Sequence, residues 1–248
     1  MTRAIPLRAP LALLVLAGGC LEPGASPFGA RDEEAPLLVA SVPFEGALRV
    51  PPDAELYLSF SEPLAEGQPT PGQVQLRSGE LVVPVSIDHP RPGLVRLLPG
   101  EPLHRGLRYN LGLANSLHDP AFNPLDPASP RNLGFTVATA DDPLQVVATE
   151  PGEGAQGVAR RLEITLDFDV PLSTLTLDRA HFVLEDEAGS SVGLRAALDD
   201  AEPRRVILTP FAELPADTLL TLTVTPGLRD VQSRHLAVAF VLTFRTAP

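Results

Sequence analysis

Histidine and acidic side chains are the groups of this chain whose types could support catalysis or metal binding. The five histidines are His89, His104, His118, His181 and His235. None has a second histidine at the spacing of metal ligands, and the chain contains no His-Glu-x-x-His motif, no cysteine pair and no Gly-x-Ser-x-Gly turn. Isolated histidines are typical of loops and strand edges. The sequence therefore predicts no catalytic residues and a protein that is not an enzyme.

Acidic residues cluster at four places, which are Asp141-Asp142, Asp167 with Asp169, 185–187, and Asp199-Asp200. Calcium binds sets of carboxylate and carbonyl oxygens, and a seam between two domains can assemble such a set. However, the chain has no Asp-x-Asp-x-Asp-Gly loop, and solvated acidic turns are expected at a net charge of −12. The sequence thus predicts no cofactor and no metal. The one ion it leaves open is calcium, with Asp141, Asp142 and Glu150 as the first ligands to test.

The single cysteine, Cys20, lies where a thiol could carry a lipid. Arg3 and Arg8 precede the apolar run 11–17, and Gly18-Gly19-Cys20 follows it. The run is too short to cross a bilayer core of roughly 30 Å and has the layout of a cleaved secretory signal. Small residues directly before the cysteine resemble a bacterial lipobox, which implies a signal peptide over 1–19 and acylation of Cys20. An ordinary signal peptide that leaves a free thiol is the alternative.

The residue after the cysteine bears on localisation. Leu21 stands where Asp would stand in the retention pattern of enteric bacteria, so the site resembles the outer-membrane sorting pattern. Residues 20–36 are rich in Pro, Gly, Ala, Glu and Asp, a composition typical of a flexible tether. The sequence therefore predicts an extracytoplasmic protein held by an N-terminal lipid, such as palmitate, in a bacterial membrane, with the outer membrane as the destination.

Composition limits the remaining classes of protein. The 19 basic residues are outnumbered by 31 acidic ones, so the sequence excludes nucleic acid as a partner, because phosphate contacts need clustered cations. Trp is absent and aromatic residues make up only 5% of the chain, which argues against sugar recognition on aromatic platforms. With 28 Pro and 19 Gly, regular elements should be short and separated by turns, which favours strands.

An internal repeat organises the chain. The segment 39–50 recurs as 147–158 at an offset of 108, and the match continues from 56–64 to 164–172. At an offset of 111, 95–99 matches 206–210, and 117–119 matches 228–230. A period near a hundred residues suits one small sandwich domain. The sequence predicts domain 1 over 37–139 and domain 2 over 144–248, joined by a linker at 140–143.

Alternation of apolar and polar residues predicts the strands. Leu56, Leu58 and Phe60 alternate with polar side chains, as do Ile164, Leu166 and Phe168. Each copy supplies about seven such strands, so the predicted fold class is all-β, with two tandem immunoglobulin-like β-sandwiches. Asp119 and Asp230 read as Asx-turn residues before the last strand, and Gly46 and Gly154 as turn glycines.

These motifs carry a resemblance to a known family. Pro-x-Glu-Gly-Ala from Pro43, the strand ending in Phe60-Ser-Glu-Pro63-Leu, and the late Asp119 and Asp230 are similar to the bacterial Ig-like domain of the S-layer SbsA type. The resemblance covers about 40–139 and 145–248. It implies a sandwich fold in both copies and a place in a surface or envelope protein, and no particular activity.

The loop 117–130 of domain 1 is the segment most able to bind something. It carries Phe122 and Leu125 among prolines, and a long loop with exposed apolar residues favours a binding surface. The competing interpretation is a rigid connection that packs on its own domain. Two hypotheses for function follow. The first is a non-enzymatic module that presents its sandwiches to an unknown envelope or surface protein. The alternative is an accessory substrate- or carbohydrate-binding lipoprotein, or an enzyme with an unrecognised site.

Overall fold

The computed structural model describes residues 32–248, of which Glu33–Pro248 form one compact unit. These residues form 17 strands and one 3₁₀ turn at Arg179–His181. The first copy contains β1 (Leu38–Val42), β2 (Leu56–Phe60), β3 (Val74–Ser78), β4 (Leu81–Val83), β5 (Val85–Arg91), β6 (Leu94–Pro99), β7 (Arg108–Leu113) and β8 (Asn132–Thr136). The second contains β9 (Val146–Glu150), β10 (Ala155–Val158), β11 (Ile164–Phe168), β12 (Phe182–Asp186), β13 (Ser191–Val192), β14 (Leu194–Leu198), β15 (Arg205–Pro210), β16 (Leu219–Val224) and β17 (Phe240–Thr246).

The alternation of apolar and polar residues determines which face of each strand is buried. In β11 Ile164, Leu166 and Phe168 are buried, whereas Thr165 and Asp167 between them are partly exposed. Successive side chains of a strand point to opposite faces, so one face of β11 enters the core and the other meets solvent. The strand predicted from Leu56, Leu58 and Phe60 is confirmed as β2.

The two copies share one sheet topology. In the first copy the sheets have the orders β1-β2-β6-β5 and β4-β3-β7-β8. In the second copy the orders are β9-β11-β15-β14 and, from the opposite edge, β13-β12-β16-β17 with β10 added in parallel. A parallel bridge between Val50 and Val137 stands in the first copy where β10 pairs with β17 in the second. The repeat in the sequence is therefore a repeat of structure.

Each copy has its own hydrophobic core between its two sheets. The first core runs from Leu38 to Val137 and the second from Leu144 to Phe244. Leu97 and its equivalent Leu208 are both fully buried, each in the sheet that begins its copy. The predicted all-β class with tandem immunoglobulin-like sandwiches is confirmed. The proposed domain limits, 37–139 and 144–248, stay predictions.

Two features of the strand pattern were not expected from the sequence. The short strands β4 and β13 raise the strand number of each copy above seven, and each is followed by a strand, β5 or β14, that belongs to the other sheet of its sandwich. In β4 the side chains of Leu81 and Val82 are 44% and 48% exposed, so no alternation of buried and exposed residues marks this strand. Backbone pairing with β3 places β4, and pairing with β6 places β5.

The same loop structure precedes the last strand of each sandwich. The Asp119 carboxylate accepts hydrogen bonds from the backbone and side chain of Asn123, at 2.7 and 2.8 Å. The Asp230 carboxylate accepts from the backbone N–H groups of Gln232 and Arg234, both at 2.8 Å. Both aspartates are fully buried, so the Asx-turn prediction is confirmed. We call the segment 118–124 loop L1 and its equivalent 229–235 loop L2.

Candidate functional site

Loop L2 of the second sandwich contacts the first sandwich directly. Arg229 donates from Nη2 to Glu55 Oε1 at 3.0 Å, and its side chain is only 9% exposed. Ser233 Oγ donates to the Glu55 carbonyl oxygen at 2.7 Å. The His235 ring lies 2.9 Å from the Asp53 carboxylate. Loop L2 thus contacts the first sandwich at the stretch 53–55, just before β2, and also at Arg49, whose N–H donates to Gln232 Oε1 at 3.1 Å.

Glu55 is the centre of this polar junction. Besides Arg229, its carboxylate accepts from the Tyr57 hydroxyl at 2.6 Å. Burial alone would raise the pKa of the Glu55 carboxyl, but the donors Tyr57 and Arg229 hold that pKa below its ordinary value. Burial and the adjacent Glu55 raise the pKa of Tyr57 to about 12. Glu55 is therefore a carboxylate, and Tyr57 a neutral donor, at all physiological pH values.

An apolar contact lies beside the polar one. Val42, Tyr57 and Leu94 form a small buried cluster outside the first core, and Leu175 of the second sandwich packs against it. Tyr57 is 8% exposed although it sits on the face of β2 opposite Leu56 and Leu58. The second sandwich therefore covers part of the outer face of the sheet β1-β2-β6, which would otherwise expose about three apolar side chains to water.

The linker aspartates join the same network. Arg234, only 1% exposed, donates to Asp230 at 2.6 Å and to Asp142 at 2.9 Å, and lies 3.4 Å from Asp169. Arg49 of the first sandwich also pairs with Asp142. Asp142 therefore bridges an arginine of each sandwich and fixes the linker between them.

The residues predicted as calcium ligands have other partners. Asp141 pairs with Arg105, and Asp142 with Arg49 and Arg234. Within residues 32–248, Asp141, Asp142 and Glu150 do not bring their ligand atoms together as a set of three. The structure thus places the two aspartates at the seam, as expected, and gives them cationic neighbours. Glu150 ends β9, where it pairs with Thr165 in the register with β11.

A cleft of about 470 Å³ opens at the seam. Its walls are apolar, from four prolines and three alanines, with charged groups at intervals; the lining residues are Arg49, Pro51, Pro52, Asp53, Pro102, Arg105, Ala138, Ala140, Asp141, Asp142, Pro143, Arg234, His235 and Ala237. The volume suits a small ligand, and clefts between domains are common ligand sites. The cations that line it each face a carboxylate, so the cleft has no uncompensated charge.

The structure separates the two apolar residues predicted for the binding loop. Leu125 is 2% exposed and belongs to the first core, so the expectation that it is exposed was wrong. It is buried because its N–H donates to the Leu117 carbonyl, which draws the chain back onto the sandwich. Phe122 is 75% exposed, has φ 67° and stacks on the His118 ring at 5.0 Å. Of the two residues predicted for the binding loop, only Phe122 lies on the surface, where it could contact a partner.

The other histidines lie in ordinary positions. His118 contacts the Gln68 side chain at 2.7 Å, and His181 contacts the Thr225 hydroxyl at 3.0 Å. Burial lowers the pKa of His181, which keeps its ring neutral near pH 7. His89 and His104 are exposed. No two of these five rings share a partner among the contacts of the described residues, which leaves the scaffold interpretation of each histidine in place.

Several predicted features lie outside the described residues. These are the signal peptide 1–19, Cys20 with its lipid, and the tether up to residue 31. Within residues 32–248, no helix has the length and apolar character needed to cross a bilayer.

The fold and the junction define a tandem of immunoglobulin-like sandwiches with a fixed connection. Residues 140–246, the second copy, match the family model of the bacterial Ig-like domain. No curated protein sequence matches the chain.

Several solved structures are similar to this chain at low identity. CopC from Methylosinus trichosporium OB3b is 18% identical with a TM-score of 0.33, over 42% of this chain and 94% of that chain. The S-layer protein SbsC is 10% identical with a TM-score of 0.38, over 86% of this chain and 26% of that chain. An L,D-transpeptidase from Mycobacterium smegmatis is 12% identical with a TM-score of 0.31, over 85% and 89%. This chain spans about a quarter of the S-layer structure. All three TM-scores are below 0.5.

Sequence reasoning missed the residues that make the junction. Glu55, Arg229 and Ser233 carry no motif, and each is an ordinary polar residue in its own copy. A signal was present in the comparison of the copies. The outward positions Tyr57 and Leu94 align with Thr165 and Arg205, so at these two positions only the first copy has bulky apolar side chains. An apolar residue at a solvent-facing strand position predicts a covered face.

Proposed function

We propose that the protein is a lipid-anchored protein of the bacterial cell envelope whose two Ig-like domains form a non-enzymatic structural or adhesive module. We further infer that both copies are Ig-like domains of the SbsA type, which the shared sheet topology supports. The lipid attaches to Cys20 and places the module outside the cytoplasm, at the outer membrane. The partner is an envelope or surface protein.

The observation that carries this proposal is the fixed junction. Two sandwiches joined only by the linker 140–143 would swing relative to one another, as is common between domains of one chain. Here Arg229, Ser233 and Leu175 pack against Glu55 and the face around Tyr57. The charged groups that are buried at the junction hold the two sandwiches in one arrangement. Their role in this proposal is therefore structural. A protein that must hold a distal surface at a set position from its anchor needs such a junction.

Acylation of Cys20 is tested by the change Cys20→Ala. Cells that express the full chain are grown with labelled palmitate, and label should enter the wild-type protein and not the variant. Leu21→Ala serves as the matched control, since it leaves the thiol in place. Equal labelling of the wild type and Cys20→Ala would reject the anchor. A wild-type chain without label would reject it as well.

The role of the module is tested by capture of a partner from solubilised envelope. Residues 21–248 are immobilised in wild-type form, as Glu55→Ala, which removes the junction carboxylate, and as Glu213→Ala, which removes an exposed one. A structural or adhesive module should recover a defined envelope protein with the wild type and Glu213→Ala, and less with Glu55→Ala. Turnover of a small substrate by the purified tandem, abolished by one carboxylate or histidine substitution, would overturn the proposal.

The second candidate is an accessory ligand-binding lipoprotein, and the cleft of about 470 Å³ favours it. Ala140 lines this cleft, so Ala140→Trp would fill much of it without removing any charged group. Saturable binding of a small envelope component, such as a cell-wall saccharide, that is lost in Ala140→Trp would support this candidate over the first. Binding that survives in Ala140→Trp would exclude the cleft.

A further inference from the structure

Loops L1 and L2 occupy equivalent places and share one backbone conformation. Phe122 of L1 and Ser233 of L2 both have φ 67°, and both donate their N–H to the aspartate three residues earlier, at 3.2 and 3.1 Å. L2 contacts the element that precedes its own sandwich in the chain, which is the first sandwich. Its residue Ser233 is fully buried in that contact. The equivalent position in L1 is Phe122, which is 75% exposed.

A phenylalanine at this position is unfavourable unless it has a use. A positive φ is uncommon for residues other than glycine and costs a bulky side chain about 1–2 kcal/mol. The exposed ring leaves an apolar surface in water, and its stacking on His118 covers part of that surface. Ser233 shows that a small polar residue satisfies the loop equally well. The backbone conformation therefore does not require Phe122, and its exposed ring points to a contact that the described residues do not supply.

The chain enters the first sandwich beside L1. Asp126 donates its N–H to the Pro36 carbonyl at 2.8 Å, and Leu38 donates its N–H to Ser129 Oγ at 2.9 Å. In the second sandwich Leu144 donates in the same way to the His235 carbonyl, at 2.9 Å. Each loop therefore lies next to the point at which the chain arrives from upstream. For L2 the upstream neighbour is a protein domain, and for L1 it is the segment that leads to Cys20.

The length of that segment limits the distance from L1 to the anchor. Pro36 lies sixteen positions after Cys20. At about 3.3–3.6 Å per residue, even a fully extended chain over sixteen positions spans no more than about 58 Å. An acylated Cys20 therefore keeps Pro36, which contacts Asp126 beside L1, within about 58 Å of the bilayer surface, and this leaves the bilayer within reach of L1.

The chemistry of the two loops matches these two neighbours. L2 carries Arg229, Arg234 and His235, which pair with carboxylates. At the equivalent positions L1 carries His118, Asn123 and Pro124, so it has no arginine. Aromatic rings are favoured at the boundary between headgroups and acyl chains, whereas an acidic protein without arginine or lysine on its contact surface gains nothing from anionic lipid.

We propose that L1 docks on the lipid bilayer, with the Phe122 ring inserted among the headgroups of zwitterionic lipids. The inference rests on the proposed function, because the anchor on Cys20 brings the bilayer to the loop. Insertion orients the first sandwich on the membrane, and the junction passes that orientation to the second sandwich.

Because the chain contains no tryptophan, a single introduced tryptophan gives a fluorescence signal from one known position, which provides the test of this proposal. Residues 20–248 are coupled through Cys20, the only cysteine, to maleimide lipid in phosphatidylcholine vesicles. Coupling supplies the anchor chemically, so the outcome does not depend on acylation in the cell. Phe122→Trp reports on L1, and Phe211→Trp, an exposed position at 65% in the second sandwich, is the matched control.

Expected results are a blue-shifted emission of Trp at 122 and its quenching by brominated phosphatidylcholine, with neither change at 211. Ala128→Trp places a reporter on the neighbouring exposed loop while it retains Phe122, and adding Phe122→Ser should abolish its quenching. Emission at 122 that equals that at 211 would overturn the proposal. A blue shift without quenching by brominated lipid would also overturn it, because the ring would then contact protein, such as a second copy. Unchanged quenching of the Ala128→Trp reporter on addition of Phe122→Ser would exclude Phe122 as the inserted group.

Discussion

The ion pair between Arg229 and Glu55 should contribute more to the free energy of unfolding than an exposed ion pair of similar length. The pair is removed in both halves, as Glu55→Gln and Arg229→Gln, singly and together, in residues 21–248. The Arg229 side chain is 9% exposed and that of Glu55 is 24% exposed, with 3.0 Å between Nη2 and Oε1. Loss of one partner of a buried pair costs about 3–5 kcal/mol. Because Glu55 keeps a quarter of its surface in water, we expect about 2–3 kcal/mol for Glu55→Gln.

The assay is urea unfolding followed by circular dichroism, with the coupling free energy taken from the double-mutant cycle. We expect a coupling of about 1.5–3 kcal/mol. Arg161 and Glu213 provide the matched control, since their atoms lie 3.1 Å apart while Arg161 is 84% exposed. For this exposed pair the coupling should be a few tenths of a kcal/mol and at most about 0.5 kcal/mol.

The same coupling free energy for the two pairs would contradict this prediction. Equal coupling free energies would mean that water screens the charges at the junction as strongly as it screens charges on the surface. L2 would then not hold the two sandwiches together. A biphasic unfolding curve for Glu55→Gln, with a single transition for the wild type, would add that the junction makes the two sandwiches unfold together.

Three further predictions concern ionisation and the core. Tyr57 should deprotonate at a pH of about 12, followed by near-ultraviolet absorbance in a Tyr109→Phe background; titration at the ordinary value of 10.0 would show that the ring is not buried against Glu55. Because the pKa of Glu55 is lowered from 4.5 on folding, its contribution to stability is present above that pH and is lost as the pH falls through the folded pKa. The difference in unfolding free energy between the wild type and Glu55→Gln should therefore shrink below pH 4.5, and a constant difference would contradict this. Leu208→Ala should lower the unfolding free energy by about 2–5 kcal/mol in the urea assay, since Leu208 is fully buried between two sheets, and a loss under about 1 kcal/mol would contradict its place in the core.

The fold prediction was based on the alternation of apolar and polar residues along the strands and on the turn residues between them. Ile164, Leu166 and Phe168 had to enter a core because they share one face of a strand, and the structure buries all three. Asp119 and Asp230 were recognisable because a short carboxylate before a strand accepts local N–H groups. Such signals are local, so one sequence without an alignment is enough to find them.

The candidate sites depended on contacts that no local pattern contains. Glu55 and Arg229 are 174 positions apart, and neither has an unusual neighbour in the sequence. Leu125 was expected to be exposed because it lies among prolines, but a backbone hydrogen bond to Leu117 returns it to the core. The same loop exposes Phe122, so composition alone could not separate the two.

The junction also explains how the two copies differ. Repeated domains that bind each other in series would keep the same outer face in every copy, yet Val42, Tyr57 and Leu94 align with Glu150, Thr165 and Arg205. In the second copy Arg205 pairs with Asp167 on this face, at 2.6 Å, and both side chains are partly exposed. At these three positions apolar side chains occur only in the first copy, where Leu175 covers them. This face of the first sandwich therefore differs from its counterpart because it receives the second sandwich. L2 also lies beside Leu144, where the chain enters the second sandwich, and L1 lies in the same way beside Pro36, where the chain enters the first.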